Sequence, residues 1–132
     1  MTEPSLTAAY HPCFLIPCYN HGATVAAVID ALAPFDFPVL LVDDGSNAET
    51  KAALHDAAQR DNVHLLTLPV NQGKGGAVMA GIRQAHWLGF SHVIQIDADG
   101  QHDIDALPKL IDASQANPQH LISGQPVYDE SV

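Results

Sequence analysis

His92-Val93-Ile94-Gln95-Ile96-Asp97-Ala98-Asp99-Gly100-Gln101-His102-Asp103-Ile104-Asp105 is the stretch from which the rest of the chain can be read. An apolar run of strand length, carried by Val93, Ile94 and Ile96, stops at Asp97, Asp99 and Gln101, three oxygen-bearing side chains on alternate residues. Asp103 then opens a segment with helical spacing. In extended backbone alternate side chains point the same way, so two carboxylates and an amide oxygen can converge on one hard cation without a helix to place them. Gly100 permits the sharp turn that follows.

Outward from this strand the same unit recurs. Cys13-Phe14-Leu15-Ile16 is a short apolar run expected to end at Pro17, and the polar loop Pro17 to Gly22 follows. Thr24 is the expected N-cap of a helix on which Val25, Val28, Ile29 and Leu32 recur at helical spacing, closed by Pro34 and the turn through Pro38. Val39 to Val42 is a second strand, ending in Asp43-Asp44-Gly45-Ser46, and a helix is expected from about residue 48 to 60. A third strand, Val63 to Leu68, leads into Asn71-Gln72-Gly73-Lys74-Gly75-Gly76. The next helix, from about Gly76 to Leu88, is expected to present Val78, Met79, Ile82 and Ala85 on one side before Gly89 ends it. Beyond the acidic turn, Ile104, Leu107, Leu110 and Ile111 mark a fourth helix, and Leu121-Ile122 a last strand.

Five strands alternating with four helices predict an α/β fold, a Rossmann-like and mostly parallel sheet with helices on both faces, since parallel strands need helical crossovers. In such sheets ligands bind beyond the carboxyl ends of the strands, where each of these polar turns lies. Residues 1–12 are expected to form a lead-in and residues 13–132 one domain. The chain leaves its last strand without a further element to finish the sheet edge, so the expectation is an N-terminal piece of a longer protein.

A chain of 132 residues that is 47% hydrophobic and 15% charged has the size and balance for one domain with a real core. Fifteen acidic residues against five basic ones, a formal charge of −10, argue against a nucleic-acid partner held by its backbone and make phosphate binding dependent on a metal. Cys13 and Cys18 flank one strand with no second pair, which supports neither a disulfide framework nor a zinc site and points to a reduced, cytoplasmic chain. No apolar run approaches the roughly 18 residues of a membrane span, and the amino terminus lacks a basic stretch followed by an apolar one.

Rival readings of the turns fail on position. An EF-hand counted from Asp97 would need glycine and glutamate where His102 and Pro108 stand. A phosphohydrolase nucleophile turn belongs on a first strand and carries a hydroxyl where Gln101 stands, and helix-capping acids would account for Asp103 and Asp105 but not for three ligands before them. Asp43-Asp44-Gly45-Ser46 alone reads as a turn before a helix start, but at the end of an inner strand beside a metal site its two carboxylates would repel a phosphate and can accept the N–H donors of a nucleobase. A phosphotransfer receiver also pairs acids, but on its first strand. Gly73-Lys74-Gly75-Gly76 fits neither a P-loop nor a dinucleotide fingerprint. It reads equally as a flexible turn, although Lys74 stands at a strand-to-helix junction on the same edge as the acids. Of the eight histidines, His102 is the first candidate for a role and His21 the second.

Taken together and in order, four features resemble the nucleotide-binding half of the family 2 glycosyltransferases of GT-A fold. They are Ile16-Pro17-Cys18-Tyr19-Asn20, Val42-Asp43-Asp44-Gly45-Ser46, Asn71-Gln72-Gly73-Lys74-Gly75 and the Asp-x-Asp stretch Asp97-Ala98-Asp99-Gly100-Gln101-His102. The resemblance covers about residues 13 to 125, and the last motif is most similar to the dolichyl- or polyprenyl-phosphate mannosyltransferase branch. It implies that Pro17, Tyr19 and Asn20 line a nucleoside pocket, that Asp43 and Asp44 meet the base or ribose, and that Lys74 lies close by. It further implies that Asp97, Ala98 and Asp99 meet a nucleotide-diphospho-sugar, with Asp97, Asp99 and Gln101 holding Mg²⁺ or Mn²⁺. The implied reaction moves a sugar from a UDP- or GDP-sugar to a polyprenyl phosphate, lipid or glycan acceptor, at the cytoplasmic face of a membrane if a segment beyond Val132 anchors the chain.

The chain departs from the resemblance in two places: His21 stands where the family often has glutamate, and Gln125-Pro126-Val127-Tyr128 where the mannosyltransferase branch usually continues Thr-Arg-Tyr. Donor and acceptor stay open on the sequence, and the catalytic base is expected downstream of Val132. Two alternatives remain beside this reading: a nucleotidyltransferase, which would normally carry a glycine-rich basic loop after its first strand, and a nucleotide-binding module without turnover.

Overall fold

The computed structural model describes residues 10–98 and 107–116. Four parallel strands, β1 (Pro12–Cys18), β2 (Val39–Asp43), β3 (Val63–Thr67) and β4 (His92–Gln95), lie in the order β3-β2-β1-β4. The helices α1 (Gly22–Leu32), α2 (Ala48–Ala57), α3 (Gly73–Trp87) and α4 (Leu107–Gln115), with a 3-10 turn over Ala33–Phe35, complete the described elements. The expected fifth strand at Leu121-Ile122 lies outside the described residues, as do Asp99, Gly100, Gln101, His102, Asp103, Ile104 and Asp105.

The period-two alternation of the strands divides the core between the two faces. Phe14, Ile16 and Cys18 of β1, Val39 and Leu41 of β2, and Ile94 and Ile96 at β4 pack against α1, α2 and α4. Cys13 and Leu15, Leu40 and Val42, and Val93 pack against α3. The expected helices on both faces are therefore present, three on one side and one on the other. All seven residues of β1 are buried, as a strand covered on both faces and paired on both edges must be. The apolar stripe of α1 is the expected one, Val25, Val28, Ile29 and Leu32.

Several expected boundaries move, each for a local reason. Pro17 does not stop β1. Alternate residues of this strand turn their backbone to β2, as Phe14 N–H donates to the Pro38 carbonyl, and to β4, as Ile96 N–H donates to the Leu15 carbonyl. Pro17 is in phase with Leu15, so its missing N–H faces the β4 side, where the pairing ends with Gln95 opposite Leu15. Thr24 is not the N-cap of α1: the helix begins two residues earlier, at Gly22 after His21, and the Thr24 hydroxyl donates to the His21 and Ala98 carbonyls. α2 ends at Ala57 rather than near Arg60, and α3 begins at Gly73 rather than Gly76.

On α3 the buried residues are Ala77, Gly81 and Ala85, while Met79, expected inside, is half exposed. The small residues let the helix approach the sheet. A Cβ on Gly81 would stand 2.4 Å from Leu15 Cδ1 and 3.0 Å from Val42 Cγ2. The lead-in is also attached to the domain before residue 13. The Tyr10 hydroxyl bonds with Ser114 Oγ on α4, and its ring rests on His92 and Phe37.

Candidate functional site

The carboxyl ends of β1, β2 and β4 and the start of α3 enclose a cavity of about 360 Å³. It opens beside β1, between the strand that continues to β2 and the one that returns as β4, the place where an open parallel sheet reverses its winding. Pro17 and Tyr19 enter from β1, Asp44 from β2, Lys74 from α3, and Asp97 and Ala98 from β4. Six of the expected contact residues therefore line one cavity. Tyr19 is half exposed, leaving its ring available to a ligand.

Alternation decides which acid reaches the cavity. Asp43 is in phase with Val39 and Leu41, so it leaves β2 on the α2 side. Its Oδ2 accepts from Lys51 Nζ at 2.9 Å and its Oδ1 from the Ser46 N–H at 2.9 Å. Burial alone would raise the Asp43 carboxyl, but the hydrogen bonds from Lys51 and Ser46 and the Lys51 charge outweigh it and hold the group below its ordinary value. Asp44 is in phase with Leu40 and Val42 and emerges on the α3 side at the cavity wall. There its Oδ1 accepts from the Gln72 N–H at 2.7 Å and its Oδ2 from Asn71 Nδ2 at 3.1 Å. Asp97, in phase with Val93, falls on the same side, and Lys74 Nζ stands 2.7 Å from its Oδ1.

Three contacts hold the loops in register. Asn20, at φ 60°, donates its N–H to Ser46 Oγ and accepts the Asn47 N–H on its Oδ1 at 2.8 Å, joining the loops after β1 and β2. Gly45, at φ 74°, lies so close to the loop after β3 that a Cβ would stand 2.5 Å from the Asn71 nitrogen. Only glycine meets both conditions. The Thr24 hydroxyl ties α1 to the Ala98 carbonyl at the end of β4.

Neither Asp43 nor Asn20 lines the cavity, although both were read as contact residues; instead they hydrogen-bond Ser46, Asn47 and Lys51 in the segment that follows β2. Cys18, His21, Asn71 and Gly73 do line it, and of these only His21 was singled out in the sequence. Asn71 stood in a recognised motif, but nothing in its spacing foretells that its amide would orient Asp44. Cys13 and Cys18 are free and buried, five residues apart on opposite faces of one strand, which places them in different cores and out of reach of each other.

Asp97 suits a cation, since an ammonium already rests on its carboxylate. Among the described residues no cluster of three or more histidine, cysteine, aspartate or glutamate side chains is placed to hold a metal ion. The expected partners Asp99 and Gln101, like His102, lie outside them. No helix among the described residues is long and apolar enough to cross a membrane.

Comparison with known proteins places these features in a family. The model of glycosyl transferase family 2 matches residues 13–132. Poly-beta-1,6-N-acetyl-D-glucosamine synthase from Staphylococcus epidermidis is 30% identical over 117 residues, covering 86% of this chain and 28% of that protein. Undecaprenyl-phosphate mannosyltransferase from Micrococcus luteus is 36% identical over 104 residues, 75% of this chain and 42% of that one. Among solved structures, a mannosyltransferase from Pyrobaculum calidifontis in complex with GDP-Man and Mn²⁺ matches with a TM-score of 0.64 and 23% identity, over 83% of this chain and 33% of that chain. The chain spans less than half the length of each.

Proposed function

We propose, because the chain belongs to glycosyl transferase family 2, that it forms the donor-binding part of a glycosyltransferase that uses a nucleotide-diphospho-sugar with Mg²⁺ or Mn²⁺. The observation that carries this is the convergence of Pro17, Tyr19, Asp44, Lys74 and Asp97 on one cavity at the winding reversal of a parallel sheet. Tyr19 and Pro17 offer the flat apolar wall a nucleoside needs, and Asp44, held by Gln72 and Asn71, turns an acceptor toward base or ribose N–H and O–H groups. Asp43 and Asn20 keep that wall in place from beneath. Lys74 meets the diphosphate.

Asp97, Asp99 and Gln101 would hold the metal, which when bound neutralises charge on the departing nucleoside diphosphate as a Lewis acid. In the transfer, the bond from the anomeric carbon to the diphosphate oxygen breaks with its electron pair leaving on the nucleotide, and an acceptor oxygen forms the new bond. GDP-Man and Mn²⁺ in the Pyrobaculum enzyme support the choice of ligands. The named activity of the Micrococcus relative supports a polyprenyl phosphate as acceptor, and with it a role in lipid or cell-envelope glycosylation at the cytoplasmic face of a membrane.

A thermal-shift titration with UDP, GDP and dTDP, each with Mn²⁺ or with EDTA, tests the site in the wild type and in Asp97→Ala/Asp99→Ala. Ligand at a hundred times its dissociation constant adds about 2.7 kcal/mol. Stabilisation by one nucleotide that needs metal and vanishes in the double variant is the expected result. A cooperatively folded protein that no nucleotide stabilises would reject the assignment.

A further inference from the structure

We infer that the outer face of α3 is a docking surface for an anionic lipid bilayer, with Trp87 as its anchor. It adds a contact surface to the membrane role proposed above and stands on separate observations: exposure, charge and side-chain chemistry. The core takes only the inner side of α3, through Ala77, Gly81 and Ala85. Met79 and Trp87 turn away from it, 51% and 82% exposed, and Leu88 at the helix end is 37% exposed. Met79, Arg83 and Trp87 recur at steps of four, and His86 is exposed beside them, so the outer residues form one stripe that runs about 12 Å along the helix. An indole left in water adds nothing to the core. It suits a bilayer interface, where the ring enters the apolar layer and the N–H stays among the headgroups. With fifteen residues α3 is not long and apolar enough to cross a membrane, so the helix lies on the surface.

Charge selects the kind of surface. The chain carries fifteen acidic residues, yet none lies between Asp61 and Asp97, the span that contains α3. The helices on the opposite face of the sheet differ: α1 carries Asp30, α2 Glu49 and Asp56, and α4 Asp112. Among the described helices α3 is therefore the one whose own side chains do not repel an anionic surface. The acids of the other helices stand across the sheet, and salt screens them over roughly 8 Å at physiological ionic strength. Arg83 is exposed and makes no ion pair among the described residues. Its guanidinium can pair with lipid phosphates while its stem lies along the apolar stripe.

Trp87 is the only tryptophan of the chain, so its fluorescence reports on this face alone. The probes are vesicles of phosphatidylglycerol and phosphatidylcholine in equal parts, and vesicles of phosphatidylcholine alone, with neither nucleotide nor metal present. With the anionic vesicles the emission should move to shorter wavelength and be quenched by lipids brominated along their acyl chains. Phosphatidylcholine alone should bind at least about threefold more weakly, a difference that added salt narrows. In sedimentation with the anionic vesicles, Trp87→Ala and Arg83→Glu should each bind about tenfold more weakly than the wild type. Thermal melts should show both variants folded, since both side chains are exposed.

Wild-type emission that the anionic vesicles leave unshifted overturns the docking surface, as do folded variants that sediment with them as well as the wild type does. Equal binding to the two kinds of vesicle overturns it too. Emission already shifted to short wavelength without vesicles, and returning to long wavelength on dilution, would give this face to a second copy of the chain and overturn the bilayer as its occupant. No nucleotide enters the assay, so each of these results leaves the donor-site reading to be decided by its own titration.

Discussion

The face of the sheet covered by α1, α2 and α4 and the face covered by α3 end in the same row of loops, and both deliver an aspartate with a lysine to that edge. On the first face Asp43 is sealed beneath Lys51 and Ser46 and takes no part in the cavity wall. On the second, Asp44 and Asp97 look into the cavity, one oriented by backbone and amide donors, the other by Lys74. Neighbouring residues of one motif are therefore divided by strand parity into a buried support and a cavity wall. The pairing of acids in sequence says nothing of a shared job; the side of the sheet does.

The largest expected effect tests the glycine at which the loops after β2 and β3 meet. In Gly45→Ala the new Cβ meets the Asn71 backbone, and the left-handed φ of 74° penalises it further. A loss of about 3 kcal/mol is expected in urea unfolding, with nucleotide-induced stabilisation abolished. A fully stable Gly45→Ala would show that the loops after β2 and β3 need not touch.

Next in size, Asp43→Asn removes charge-assisted hydrogen bonds from a buried site and should cost about 2 kcal/mol of stability while leaving the nucleotide affinity of the folded protein within about twofold. Asp44→Asn should cost less stability and weaken nucleotide binding about tenfold, the equivalent of one good polar contact to the ligand. Equal losses of affinity in the two variants would erase the division between the faces.

A third, smaller effect follows from the depressed Asp43 carboxyl. Because its folded value lies below its unfolded value near about 3.9, the stabilisation is present above that pH and is lost as pH falls through the folded value. Urea midpoints compared at pH 7 and in this acid range should fall more steeply in the wild type than in Lys51→Met, which lacks the cation that lowers the group. The same slope in both would move the cause from Lys51 to the Ser46 donors.

What the sequence made legible was the alternation itself. Apolar runs that stop in polar turns were sufficient to place four strands, four helices and the sheet edge that bears the cavity, because burial on both faces leaves few other arrangements for Phe14 to Ile16 or Val39 to Val42. The start of α3 was not legible: three glycines among its first four residues have low helix propensity, and their helical state depends on packing that no local pattern records. Pro17 misled for a related reason, since a proline breaks a strand only where its N–H is wanted, and that depends on where β4 ends. The different duties of Asp43 and Asp44 were readable in principle from strand parity. The clamps by Asn20, Asn71 and Thr24 were not, because each joins residues more than twenty positions apart.

The two cysteines offer the finest probe of the contrast, since β1 carries one on each face. Cys13 lies within the α3-side core, where burial pushes its thiol up to about 12, and the Cys18 thiol is raised too, by burial first, although it sits at the strand end on the cavity wall. For Cys13 the folded value exceeds the unfolded one of about 8.5, so the associated stability is complete below that pH and declines as pH rises toward 12. Reactivity requires the thiolate, so neither thiol should react in place, and labelling must wait for opening. Strand ends beside binding loops open locally, whereas the middle of a strand covered on both faces opens only with the whole domain. With modification located by mass spectrometry at pH 8, Cys18 should label about tenfold or more faster than Cys13 in native buffer, and only Cys13 should accelerate along the full urea dependence of global unfolding. Equal rates at the two sites would mean that the cavity edge and the α3-side core open as one unit.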